Sequence, residues 1–176
     1  RLDGLQNSHP IEQEVDNPAE IGQLFDAISY SKGASVIRML EGYLGEDRFR
    51  AGINSYLQEH HHGNATTGDL WASLATTSGR PVGEIMDSWT KQTGYPYLDV
   101  EVERAGGKTR VSASQRRFTY EALLGDKATD DTVWQVPLAV TTSDHTHAAT
   151  LATERQVNLS TPEGPTNRPW LKVNPG

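Results

Sequence analysis

Trp89-Thr90-Lys91-Gln92-Thr93-Gly94-Tyr95-Pro96-Tyr97-Leu98-Asp99-Val100-Glu101-Val102-Glu103 contains the change of hydrophobic period that decides the fold. Beyond Pro96, Leu98, Val100 and Val102 alternate with Asp99, Glu101 and Glu103, which places apolar and acidic side chains on opposite sides of a strand. Ala105-Gly106-Gly107-Lys108 reads as a hairpin turn, with Val111 and Ala113 on the return strand. Trp134, Val136, Leu138 and Val140 alternate again, and weaker strands follow around 148–152, 156–159 and 170–173. Short antiparallel strands separated by turn residues predict a small β-sandwich over 96–176.

Upstream of Gly94 the period is helical. Asn17-Pro18-Ala19-Glu20 reads as an N-cap, a Pro at the first helical position and a Glu whose carboxylate reaches back, opening a short helix that ends near Phe25. A longer helix is expected from Ser29 to Leu44, with Ile37, Leu40 and Leu44 on its stripe and Gly45 as its stop. The next runs from Glu46 to His60 on Phe49, Ile53 and Leu57, with Glu46 and Asp47 at its positive end. Thr66-x-x-Asp69 opens a helix that buries Leu70, Trp71 and Leu74 and closes at Gly79. Pro81 starts the last, with Ile85, Met86 and Trp89 inward and Gly94 as its stop. The fold class is α+β, helices over 1–95 and then the sandwich.

Composition narrows the function. Sixteen basic and 23 acidic residues give a net charge of −7, the wrong sign for a protein that neutralises phosphates, so no nucleic-acid partner is expected. Six of the seven negative units fall in residues 1–95. The absence of cysteine removes disulfides, thiolate-bound metal and a thiol nucleophile. The best apolar run, Gly33 to Leu40, is interrupted by Arg38 and is far too short to span a bilayer. Arg1-Leu2-Asp3-Gly4 shows neither an initiator Met nor a signal pattern, and Asn174-Pro175-Gly176 follows a strand-like segment, so both ends read as cut from a longer protein.

Local candidates for chemistry each have a structural explanation. His60-His61-His62 cannot converge on one ion, because helical neighbours point about 100° apart. His145 and His147 share a face of an expected strand but lack a third ligand, and no H-E-x-x-H occurs. Gly33-Ala34-Ser35-Val36 lacks the second glycine of a nucleophile elbow, and its serine is expected to be packed in a helix. Asp130-Asp131 reads as a solvated turn, and Asn64 and Asn158 head glycosylation sequons. Tyr30, at the start of an apolar helix, reads first as a packing residue.

A family resemblance changes that reading. Ser8-His9-Pro10-Ile11, Asn17-Pro18-Ala19-Glu20-Ile21 and Phe25-Asp26-Ala27-Ile28-Ser29-Tyr30-Ser31-Lys32-Gly33-Ala34-Ser35-Val36-Ile37-Arg38-Met39-Leu40 closely resemble the zinc aminopeptidases of the alanyl/puromycin-sensitive type. The likeness continues through Tyr43-Leu44-Gly45, Asn64-Ala65-Thr66, Asp69-Leu70-Trp71, Trp89-Thr90 and Gly94-Tyr95-Pro96. It extends to Gln115, Phe118, Trp134-Gln135-Val136-Pro137-Leu138 and Trp170-Leu171-Lys172-Val173-Asn174. The resemblance implies that residues 1–95 are the helical C-terminal portion of a thermolysin-like catalytic domain and that 96–176 are the β-sandwich domain after it.

It also implies zinc in the parent enzyme, with every ligand and the loop that grips the substrate amine outside this chain and none bound by the chain itself. Peptides are the implied substrates, and the chain is expected to pack against further N- and C-terminal domains. Tyr30 matches the tyrosine that hydrogen-bonds the oxyanion of the tetrahedral intermediate, a role suited to a phenol, whose O–H remains a strong donor at neutral pH. Phe25 matches an aromatic that lines the pocket for the first substrate side chain, with core packing as its alternative. A cytoplasmic location is expected ahead of an extracellular one. The competing reading is a non-catalytic module that binds a protein or glycan.

Overall fold

The computed structural model describes residues 2–5, 7–15, 17–105, 108–120, 130–143, 145, 147–160 and 170–174, without the side chains of residues 20, 23, 108 and 160. The expected reach of the Glu20 carboxylate and the hairpin tip at Gly106 and Gly107 fall outside the described residues. The chain forms two compact units, Arg1–Thr93 and Gly94–Gly176.

In the first unit, Asn17 accepts a hydrogen bond from the Ala19 amide at 3.1 Å and opens the 3-10 helical segment Pro18–Leu24. Four α-helices follow: α1 (Gly33–Leu44), α2 (Glu46–Glu59), α3 (Thr67–Ser78) and α4 (Val82–Thr90). Gly45 joins α1 to α2 alone, at φ +84°, a conformation open to glycine without a side-chain clash. Thr66 and Asp69 form the expected reciprocal capping box at the start of α3, and Gly79 closes that helix in the left-handed region at φ +66°.

Helices α2 and α3 approach closely at Gly52. A Cβ there would lie 2.6 Å from Leu74 Cδ2, and the Gly52 carbonyl accepts from Ser73 Oγ at 3.1 Å. The core joins Val36, Leu40, Leu44, Trp71, Leu74, Val82 and Met86.

Two helical expectations need correction. Leu57 is exposed, while Phe49 and Ile53 pack on the core. Each four-residue step advances about 40° beyond a full turn, so the third member of that series has rotated off the buried stripe. Helix α4 stops at Thr90, well before Gly94. There the Thr90 hydroxyl bonds back to the Met86 carbonyl at 3.0 Å, and the Thr90 carbonyl accepts from the Glu12 amide at 2.9 Å. A partner from outside the helix therefore satisfies its end, and no glycine is required.

The second unit contains β1 (Pro96–Ala105), β2 (Lys108–Arg117), β3 (Val136–Thr142), β4 (His147–Ala152), β5 (Gln156–Ser160) and β6 (Leu171–Val173). They form two antiparallel sheets, ordered β1-β2-β5 and β4-β3-β6. Val111 and Leu159 from one sheet meet Val140 from the other, with Ala148, Leu171 and Val173 around them, which gives the expected sandwich.

Gln115 ties the unit together. Its amide nitrogen donates to the carbonyls of Trp134 and Glu154, both at 2.9 Å, and its Oε1 accepts from the Trp134 amide at 2.9 Å. Buried backbone groups that lack a sheet partner are satisfied in this way. Val102 registers with buried Val111, and Val100 with buried Ala113, yet both strand β1 valines remain exposed. Alternation chose their side of the sheet, but β1 is an edge strand and coverage depends on what lies opposite. His145 sits at φ +61° in the turn after β3, so it does not share a strand with His147.

Candidate active site

Phe25-Asp26-Ala27-Ile28-Ser29-Tyr30-Ser31-Lys32 is built on a cap and a wide turn. Asp26 Oδ1 accepts from the Ser29 amide at 2.8 Å, and the Asp26 carbonyl accepts from the Tyr30 amide at 3.1 Å. Residues Ile28–Lys32 then form one π-helical turn before α1 begins at Gly33, where a continuous α-helix from Ser29 was expected. A π turn holds more residues than an α turn, so it resets the angular rows of side chains, and such turns recur at functional sites. Ile28 is buried, whereas Tyr30 and Phe25 point outward at 65% and 66% exposure. Their ring centroids are 6.4 Å apart.

Neither aromatic lies in the buried cluster of its unit. Ser35 is corrected: it is exposed, with its hydroxyl donated back to the Ser31 carbonyl at 2.8 Å.

Side chains from distant segments hold both ends of the turn. At its start, His9 Nε2 lies 2.6 Å from Asp26 Oδ2, and His9 Nδ1 lies 2.8 Å from the Pro10 carbonyl. At its end, Lys32 Nζ lies 3.0 Å from Asp3 Oδ2 and 3.1 Å from the Gln92 carbonyl. Asp3 also accepts from the Ser8 hydroxyl. His9, Asp26, Asp3 and Lys32 were not singled out as functional in the sequence. A lysine just before the apolar run Gly33–Leu40 and an aspartate three residues before Ser29 are the available signals.

The His9 imidazole is raised above its ordinary value of 6.5, chiefly by the Pro10 carbonyl, against an opposing effect of burial and with further support from Asp26. Asp26 is lowered from 3.8, chiefly by the Ser29 amide, with His9 adding to the effect. The raised imidazole contributes stability that is fully present below 6.5 and lost as pH rises through the raised value. The lowered carboxyl contributes stability that is present above 3.8 and lost as pH falls through the lowered value. Both contributions are therefore in place between 3.8 and 6.5. An NMR titration of the His9 ring in this chain should give a midpoint above 6.5 that moves down in Asp26→Asn; a midpoint at or below 6.5 contradicts the pairing.

The other histidines lie apart from this turn. His60 ends α2, His61 Nδ1 is 3.0 Å from the Gln58 carbonyl, and His62 sits at φ +58°. Among the described residues no three His, Cys, Asp or Glu side chains converge to hold a metal ion, so this donor set does not fit a zinc centre. No helix among them is long and apolar enough to cross a membrane. What the turn offers chemically is one outward phenol donor on an anchored backbone, with an aromatic face beside it.

The model of the Peptidase family M1 domain matches residues 1–89. The chain belongs to peptidase family M1, a family of metallopeptidases that includes aminopeptidases. It is 40% identical to the puromycin-sensitive aminopeptidase of Caenorhabditis elegans over 178 residues, covering 99% of this chain and 18% of the relative. It is 46% identical to aminopeptidase M1 of Arabidopsis thaliana over 140 residues, 80% of this chain and 15% of the relative. The tricorn protease-interacting factor F2 of Thermoplasma volcanium is 45% identical over 142 residues, 81% of this chain and 17% of the relative. The chain thus spans less than a fifth of the length of these relatives.

Proposed function

We propose that this chain is a segment of a zinc aminopeptidase that releases N-terminal residues from peptides, and that its contribution to the reaction is the Tyr30 hydroxyl. Residues 1–95 supply the helical C-terminal portion of the catalytic domain and 96–176 the sandwich domain that follows it in sequence. The observation that carries this reading is the exposed Tyr30 on an anchored π turn inside the stretch that matches the family.

During peptide hydrolysis the scissile carbonyl oxygen becomes an oxyanion. A donor fixed in advance at that position stabilises charge that exists only in the transition state and costs no reorganisation when the charge appears. Tyr30 is that donor, and Phe25 is the apolar wall beside the first substrate side chain. The zinc that the family implies is held by residues outside this chain, and the chain packs against the domains that carry them.

The isolated chain and the longer enzyme therefore behave differently. On its own, the 176-residue chain binds no stoichiometric zinc and leaves aminoacyl-naphthylamides uncleaved, while the enzyme containing it cleaves them. Metal analysis and a fluorogenic assay on both check this. Hydrolysis that follows the isolated chain through purification and survives a chelator contradicts it.

A further inference from the structure

Tyr30 has little packing of its own. The residue is 65% exposed, so the placement of its hydroxyl depends on the backbone of the turn. That backbone ends at Lys32, two residues on, whose side chain is only 10% exposed and pairs with an Asp3 side chain at 9%. One ammonium thereby joins three stretches of the first unit: the π turn, the short turn Leu2–Gly4 that carries Asp3, and the Gln92 carbonyl beyond α4. Burying a charged pair is a poor route to stability, because desolvation consumes much of the attraction and an apolar pair of similar volume often does as well. The ion pair together with the hydrogen bond donated to the Gln92 carbonyl does fix where the ammonium sits.

We infer that Lys32, held by Asp3 and the Gln92 carbonyl, is a positioning residue that sets where the Tyr30 hydroxyl stands during the reaction. This rests on the transition-state role proposed above for Tyr30. A catalytic group displaced by about 1 Å can lose on the order of 100-fold in rate, so the Lys32 clamp is expected to act on kcat.

The test uses the full-length zinc enzyme. Lys32→Met lowers kcat by about 10- to 100-fold with KM near wild type, and in a Tyr30→Phe background it lowers kcat no further, because no hydroxyl remains to be positioned. A structural defect would instead multiply through both backgrounds, and that result, or a wild-type kcat in Lys32→Met, overturns the inference.

If Lys32→Met fails to fold because the buried Asp3 charge has lost its counter-ion, the double variant Asp3→Leu/Lys32→Met removes both charges. It should fold with a melting temperature close to wild type and still show the kcat loss; full kcat in that variant also overturns the inference. A Tyr30→Phe enzyme with normal kcat would remove the underlying reading, which is a different failure.

Discussion

Tyr30→Phe in the full-length enzyme lowers kcat by about 100- to 1000-fold, the usual effect of removing one preorganised oxyanion donor, and leaves KM and zinc content near wild type. The substitution deletes one hydroxyl and keeps the ring. Because the ring is exposed and lies outside the core of its unit, no cavity opens and the neighbouring Phe25 keeps its partner face. The lost interaction meets charge that forms only on the way to the tetrahedral intermediate, so the deficit falls on kcat rather than on ground-state binding. Steady-state kinetics together with metal analysis separate this result from a collapsed site. Near-normal turnover would leave Tyr30 without a transition-state role.

Leu40→Ala is the largest expected change in stability. Leu40 is fully buried in α1, eight residues after the π turn, within the cluster of Val36, Leu44, Trp71, Leu74, Val82 and Met86. Truncation removes its transfer free energy and leaves a cavity that well-packed helices fill only in part. The cost is about 2–5 kcal/mol. Urea unfolding of the chain should show a lowered midpoint with an unchanged slope for the helical unit. A loss below about 1 kcal/mol would mean that the site repacks as freely as a volume-conserving swap, which contradicts the full burial of Leu40 in that cluster.

Punctuation was the most legible part of the fold. Gly45 and Gly79 adopt positive φ where the sequence places helix stops, Thr66 and Asp69 cap α3 as their spacing requires, and β1 and β3 follow the two clear period-two runs. These signals are local, carried by residues whose own chemistry restricts the backbone. The misses are non-local. Thr90 ends α4 because Glu12, 78 residues away, meets its carbonyl, and no helix-end rule applied to residues 82–94 contains that information. Val100 and Val102 alternate correctly but lie on an edge strand, a property of sheet order.

The site divides in the same way. Nothing in the helical period distinguished Tyr30 from a packing residue, and only the likeness of Phe25 to Leu40 to a family singled it out. The π turn has no sequence signature. It is maintained by Asp26 with His9 on one side and by Lys32 with Asp3 on the other, across separations of 17 residues for the first pair and nearly 30 for the second.

The most direct test of the account is the affinity of a phosphinic peptide, whose tetrahedral phosphorus places a negative oxygen where the oxyanion would form. Its inhibition constant is measured on the wild-type full-length enzyme and on Tyr30→Phe, alongside that of a free amino acid product. The account predicts that the phosphinic peptide binds the phenylalanine variant about 100-fold or more weakly while the product binds both alike. Equal affinity of the phosphinic peptide for both enzymes would contradict it.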